Sequence, residues 1–445
     1  MSLTAGVART RITPWWGVEL TGWGYYLERT WQTVHDDLNA TALVLDDGQT
    51  PLAIISLDLM VVSEEFTHSV RSQVATATGI APASILVSCT HTHNAPASQG
   101  LLGVGEVDPR YEEFAARQAA TAAILAWNSR GTAELSIATT KLAGHTFNRT
   151  RENGPVDETL TVLNVDHTDG RPLATLVNFQ AHPTVSTVLR SHAVSRDVPG
   201  EVCDLIEQAR LGVTALYLQG ACGDVNFLRE YSTPEECNKP ARFVAQAALD
   251  ALKHAEPIAA ETLSGTIRTA RIPTRRWTRE EIDHDRAEAK RRLEQHDVSG
   301  WRETIGRAMT NRPDDMVSRH GGDEWKAVAA MCRFNVEWTD RMLADIDRPE
   351  WLETEVQGLR IGNVSIVTNS SEFFSTLALD VRTRVDSKHL MISGYSNGRI
   401  GYVPDAHDVA ARSYAAYQSP KYCNQFPFTD ASGPALCDAM VDVLR

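Results

Sequence analysis

The chain has 445 residues, 42% of them hydrophobic, enough to bury a large core in one domain or a few smaller ones. Its 57 acidic against 43 basic residues give a formal net charge of −14, which repels nucleic acid and anionic membrane surfaces and leaves a small molecule as the expected partner. No stretch approaches the roughly 18–20 apolar residues that span a bilayer, and the opening MSLTAGVARTRITPWWG lacks a signal core, so a cytoplasmic protein without stable membrane association is expected.

In chain order, strand-like runs appear at ATALVLDDG, PLAIISLDLMVV, ASILVSC, AELSIATTKL, LTVLNVDH, LATLVNFQAH, VTALYLQG, LRIGNVSIVTN and HLMISGYS. Between them SEEFTHSVRSQVATATG and DPRYEEFAARQAATAAILAWNS read as helices with acidic first turns, and VPGEVCDLIEQARLG as a helix closed by glycine. The near-continuous apolar runs are those of central strands, and the class predicted is α/β: a mixed sheet flanked by helices on both faces. Residues 274–350 break the rhythm with TREEIDHDRAEAKRRLEQ and DEWKAVAAMCRFNVEWTDRMLADI, an inserted helical pair within one domain spanning 1–445; their charge reads as a solvated surface hairpin in preference to a substrate-capping lid. The seven cysteines are odd in number, scattered and without a CxxC pair, which argues against a disulfide framework or thiolate metal site.

Two strands end in histidines. VSCTHTHNAP places His91 and His93 two apart, on one side of an extended chain, and VNFQAHPTV ends in His182 before a proline that stops the ladder. An isolated HxH also fits a pair of hydrogen-bonded core histidines. Two strands that each deliver an imidazole at the carboxyl end favour a metal, because ligand sites gather there in α/β sheets, and two histidines plus a carboxylate with an open position is a catalytic zinc arrangement. LYLQGACGDVNFL runs a strand into small residues, with Asp224 and Asn226 as polar groups for substrate alongside Asn94; it lacks the GxxxxGK[ST] phosphate loop. A barrel amidohydrolase, which also uses HxH, needs eight regular βα repeats that are not seen.

Taken in order, GVARTRITPWWGVELTGWG, LDLMVVSEEF, VSCTHTHNAP, FNRT, NFQAHPTVS, SRDVPG, QGACGDVNF, IGNVSIVTNSSEFF and YSNGRIGYVPD resemble the neutral/alkaline (non-lysosomal) ceramidase family, zinc-dependent amidases of N-acyl sphingosines, in its N-terminal catalytic domain. The resemblance implies Zn2+ held by His91, His182, Glu372 and Tyr402. It implies that His93 and Arg149 hold the oxygen of the scissile carbonyl, with Tyr414 beside them and Glu372 also able to accept a proton from the attacking water. Asn226 stands where the family's GDVSPN has a serine, which leaves no hydroxyl there, and SSE replaces the usual PGE before Glu372. These departures, the acidic charge and the missing lipid-facing domain point away from ceramide. The expected activity is hydrolysis of a linear amide by metal-activated water on a small soluble substrate. A sugar-type lactone is the alternative substrate, a non-catalytic binding role a more distant one, and a homo-oligomer is compatible with the sequence.

Overall fold

The computed structural model describes residues 2–259, 262–308 and 313–445. Its strands are β1 (Thr4–Arg11), β2 (Asn39–Asp46), β3 (Leu52–Leu57), β4 (Ile85–Cys89), β5 (Gly131–Lys141), β6 (Thr159–His167), β7 (Pro172–Phe179) and β8 (Thr214–Gln219), then β9 (Leu263–Pro273), β10 (Trp351–Ile361), β11 (Val364–Asn369) and β12 (His389–Ser393). The first eight form one sheet in the order β8-β7-β6-β5-β1-β2-β3-β4, with Glu256–Ile258 added beside β5; the last four form a second sheet, β9-β10-β11-β12. Parallel pairs β3–β4, β7–β8 and β11–β12 lie within otherwise antiparallel ladders, so both sheets are mixed.

The expected single sheet is therefore two, stacked face to face. Alternation explains it: along β2 and β3, Leu43, Leu45, Leu52 and Ile54 point to one side and meet Leu359, Ile361, Val364 and Ile366 of the second sheet. Ala42, Val44, Ala53 and Ile55 point to the other side, onto α1 (Glu64–Thr78), α2 (Pro109–Asn128), α3 (Asp197–Ala209) and α4 (Lys239–Leu252). Each of the larger side chains buried between the layers contributes about 1.5–3 kcal/mol. Local signals set the helix ends: Ser63 Oγ accepts from Phe66 N to start α1, and Gly79 closes it at φ 78°.

Among the described residues of 274–350 are four helices: α5 (Arg279–Gln295), α6 (Val298–Ala308), α7 (Pro313–Arg319) and α8 (Glu324–Ala344). The two long ones are the expected pair. The second sheet's outer face is covered by α9 (Ser375–Arg384) and α10 (Ser432–Asp442), so helices lie on both outer faces of the double sheet, giving an α/β/β/α sandwich.

The solvated hairpin expected for 274–350 is not what is observed. Trp277, Trp301 and Trp338 are fully buried in a cluster with Ile282, Met331, Phe334 and Met342, and that cluster extends to Tyr25 and Tyr422 of the main body. Much of the charge of α5, such as Glu280, Asp283 and Lys290, is exposed, while Glu281 and Asp285 turn inward to Arg412 and Lys421. The apolar stripe of α8, at Ala327, Met331, Trp338 and Met342, holds the insertion down.

Candidate active site

The site lies where strands of both sheets end. Met60 follows β3, His91 and His93 follow β4, His182 follows β7, Cys222 to Asn226 follow β8, Glu372 follows β11 and Tyr395 follows β12. The i, i+2 geometry of an extended strand is not the reason the two histidines converge. Extended structure stops at Cys89, and His91 sits in the left-handed region at φ 65°, a conformation a non-glycine residue adopts only when its surroundings impose it.

Three backbone carbonyls orient the imidazoles. His91 Nδ1 donates to Met60 O (2.9 Å), His93 Nδ1 to Gly22 O (2.8 Å) and His182 Nδ1 to Cys222 O (2.5 Å). With each Nδ1 carrying the hydrogen, every Nε2 is a bare lone pair. His91 Nε2 lies 3.3 Å from His182 Nε2 and 3.2 Å from His93 Nε2, and Glu372 Oε2 lies 3.4 and 3.2 Å from His91 and His182 Nε2. That carboxylate oxygen is buried and finds no hydrogen-bond donor among the described residues. Four acceptors aimed at one another repel unless a cation lies among them, and imidazole nitrogen with carboxylate oxygen is a donor set that suits zinc. The three histidines form a buried group that could hold a metal ion.

Electrostatics favour neutral imidazoles at His93 and His182 and an ionised carboxylate at Glu372. Burial, with the neighbouring His91 and His182, pushes His93 well below its ordinary value, and burial together with Arg149 pushes His182 down to about 3. Burial alone would raise Glu372; positive charge and hydrogen bonding at His91 and His182 outweigh it and hold the carboxyl well below the usual range, an attraction that a cation among the four acceptors would supply once the imidazoles are neutral. Tyr402 is pushed well above 10 by burial, against the pull of Arg149.

Arg149 caps the group. Its Nη2 donates to Gly223 O (2.8 Å) and to Tyr402 Oη (2.8 Å), and Tyr402 Oη is 3.4 Å from His182 Nε2. Glu372 and Tyr402 pair directly in a short parallel bridge. Tyr414 opens a π-helical turn and sets its ring 5.8 Å from that of Tyr402. All six metal and oxygen-holding candidates (His91, His93, Arg149, His182, Glu372, Tyr402) are thus brought together, with Tyr414 on the adjoining wall.

The three substrate candidates divide. Asn226 lines the cavity outside the histidines. Asp224 does not: its carboxylate accepts from Ser375 N at the start of α9 and from Asn148 Nδ2, and burial lifts its pKa to about 6. Asn94 is also inside the scaffold, with its side chain taken by Arg29 Nη2 and by the carbonyls of Arg190 and Ala193. Both are corrections to the substrate role, and the cause is the same: every polar atom is already satisfied by backbone or by a partner that positions a site loop.

Sequence reading missed Tyr395, whose ring stacks on His91 at 3.9 Å, and the glycines that let the loops close. A Cβ on Gly22 (φ 115°) would sit 2.7 Å from His93 Cβ, and one on Gly223 would sit 2.4 Å from Glu372 O. The motifs TGWG, LDLM and GACGD each supply the carbonyl that fixes one imidazole, a role that no side-chain motif displays.

The cavity has a volume of about 480 Å³ and is lined by His93, Arg149, Asn226, Tyr402 and Tyr414, by Trp23 and Tyr26, and by Asp315, Ser318, Arg319 and Gly321 from the insertion. The insertion therefore roofs the site. A smaller chamber of about 60 Å³ lies beside Glu372 against Met60, Val61, Leu101 and Val104.

A double-sheet sandwich with a buried imidazole–carboxylate cluster at its strand ends is the class that fold and site define. No family model and no curated protein matches the sequence. Among solved structures, the neutral ceramidase from Pseudomonas aeruginosa is similar over 100% of this chain and 74% of its own, at 16% identity and a TM-score of 0.73. A ceramidase complexed with C2 is similar over 100% and 75%, at 15% identity and a TM-score of 0.73. The fold is neutral-ceramidase-like. Among the described residues no helix is long and apolar enough to cross a membrane, and all seven cysteines are free thiols.

Proposed function

We propose that the protein is a zinc-dependent hydrolase that cleaves a linear amide bond of a small soluble substrate. The observation that carries this reading is the convergence of three Nε2 lone pairs and one unpartnered carboxylate oxygen at the floor of a cavity. The likeness in fold to ceramidases, whose substrates are amides, supports it. His91, His182, Glu372 and Tyr402 would hold the ion, which when bound lowers the pKa of water and polarises a carbonyl.

The chain's own residues supply the rest. Arg149, fixed by Gly223 O and Tyr402, presents its remaining N–H groups to the carbonyl oxygen, and such a preorganised donor is worth about 3 kcal/mol in other enzymes; His93, whose Nδ1–H is spent on Gly22 O, offers there only the accepting lone pair of Nε2. Glu372, besides holding the ion, would accept the proton of the attacking water. Asn226 offers no hydroxyl, which excludes a serine nucleophile at that position, and the nucleophile in this reading is water. The roofed cavity and the 60 Å³ chamber suit a short acyl group.

Purified, zinc-loaded protein assayed on matched short N-acyl amines, ceramide and sugar lactones tests the proposal. Turnover of short amides, abolished by chelation and restored by zinc, is the expected result. Turnover of lactones alone, or a preference for ceramide, would overturn it.

A further inference from the structure

We propose that the substrate carries an anionic group, and that Arg319 and Arg229 receive it. The inference rests on the amide-hydrolase reading and names the class of amide. Three arginines line the main cavity, Arg149, Arg229 and Arg319. Arg149 is engaged by Gly223 and Tyr402. Arg229 and Arg319 make no ion pair among the described residues. Other arginines of the chain are held by carboxylates, as Arg302 is by Asp314, Arg382 by Asp157 and Arg71 by Glu355.

Their placement is specific. Arg319 ends α7 in the roof and lies over the ring of Trp23 at 4.1 Å; Trp23 in turn stands edge-on to His93, with centroids 5.7 Å apart. The guanidinium is therefore within about 10 Å of the imidazole that faces the scissile carbonyl. Arg229 lies over Phe147, which pairs in register with Asn226 on the opposite wall. A guanidinium stacked on an aromatic ring keeps its edge N–H groups in the plane where a carboxylate or phosphate binds in two-pronged fashion. Burial of Arg319 depresses its pKa, Asp315 opposing, a desolvation that a bound anion would offset. The chamber beside Glu372, lined by Met60, Val61, Leu101 and Val104 together with Arg399, has a volume of only about 60 Å³ and suits a short acyl group, so the group that meets Arg229 and Arg319 in the main cavity belongs to the amine half of the substrate. An N-acylated amino acid or amino-alkyl phosphate meets both conditions.

Calorimetric binding to the zinc-loaded chain, with three short N-acyl amides that differ only in ending as carboxylate, phosphate monoester or carboxamide, reads the inference without turnover. At least one anionic member should bind tenfold or more tighter than the carboxamide, and the better of the two identifies the group. Arg319→Gln and Arg229→Gln should each remove most of that advantage, and 0.5 M salt should shrink it in the unmodified protein even if a variant fails to fold. Equal binding of all three amides, or an advantage that survives in the double variant, overturns the proposal. Anion-selective binding with no hydrolysis of any amide would refute the proposed activity and leave this inference standing; hydrolysis without anion selectivity would do the reverse.

Discussion

Replacing Gly223 by alanine should dismantle the metal centre without touching any proposed ligand. The added Cβ would sit 2.4 Å from Glu372 O, 2.9 Å from Glu372 C and 2.9 Å from Phe374 Cδ1. Ordinary contact begins near 3.4 Å, so the Glu372 backbone must retreat by about 1 Å. The obstacle is backbone, which cannot swing aside as a side-chain tip would. Coordination tolerates only about 0.2 Å, and displaced support for a ligand typically costs 10–100-fold in metal affinity. Overpacking should add about 1–3 kcal/mol of destabilisation. Competition with a chromophoric chelator at neutral pH measures the zinc affinity. Gly100→Ala, where nothing lies within 4 Å, is the control and should stay within about twofold. A folded Gly223→Ala protein that binds zinc as tightly as the control would refute the argument that this close approach sets Glu372.

His91→Ala and His182→Ala should each lose most bound zinc on purification with the fold intact by circular dichroism, since each removes a bare Nε2 from the cluster; full occupancy by elemental analysis would remove that residue from the ligand set. Asn226→Ser should keep substantial activity, and neither it nor the unmodified protein should show an acyl adduct by mass spectrometry during turnover. Glu281 bears on acid stability. Burial raises its pKa, but the paired guanidinium groups of Arg275 and Arg412 bring it to about 2, so it contributes fully above its ordinary 4.5 and loses that contribution as pH falls towards 2. After solvent screening the term is about 1–3 kcal/mol. Glu281→Gln should therefore lower the melting temperature at pH 7 and leave it nearly unchanged at pH 2.5; an equal loss at both would show that the pair contributes nothing through charge.

The strands legible in the sequence were those whose runs are apolar on both faces, such as LAIISL and ILVSC, and one, AELSIATTKL, whose apolar positions alternate. LAIISL and ILVSC lie between two covering layers, so their hydrophobicity reports burial without ambiguity. TAGVARTR and LSGTIRTARIP were missed because they are half-exposed and rich in Arg and Thr, and their partners are distant in sequence. The second sheet was invisible for a related reason: apolar runs announce burial but do not say whether a helix or another sheet lies on top. At the site, imidazoles and carboxylate could be named because their chemistry is scarce and their settings marked. Asp224 and Asn94 carry equally polar groups in equally suggestive loops, and only coordinates show that Ser375 N and Arg29 have already claimed them. The acceptors that orient the histidines are main-chain carbonyls, which every residue possesses.

The roof and the chemistry are built by different parts of the chain, and the contacts between them say how they depend on each other. Glu281 on α5 joins Arg275 to Arg412, two residues before Tyr414, and Lys421 reaches Asp285 on α5 while lying against Trp338 of α8. The segment that carries Tyr414 is thus clamped to the insertion, whereas His91, His182 and Glu372 hang from the ends of the sheet strands. Alterations in α5 or α8 should then move Tyr414 and Arg319 together and leave the imidazole cluster in place. Such alterations would change substrate preference before they change metal affinity, the opposite order from Gly223→Ala. The two classes of variant separate the roof's contribution to selectivity from the sandwich's contribution to the proposed hydrolysis.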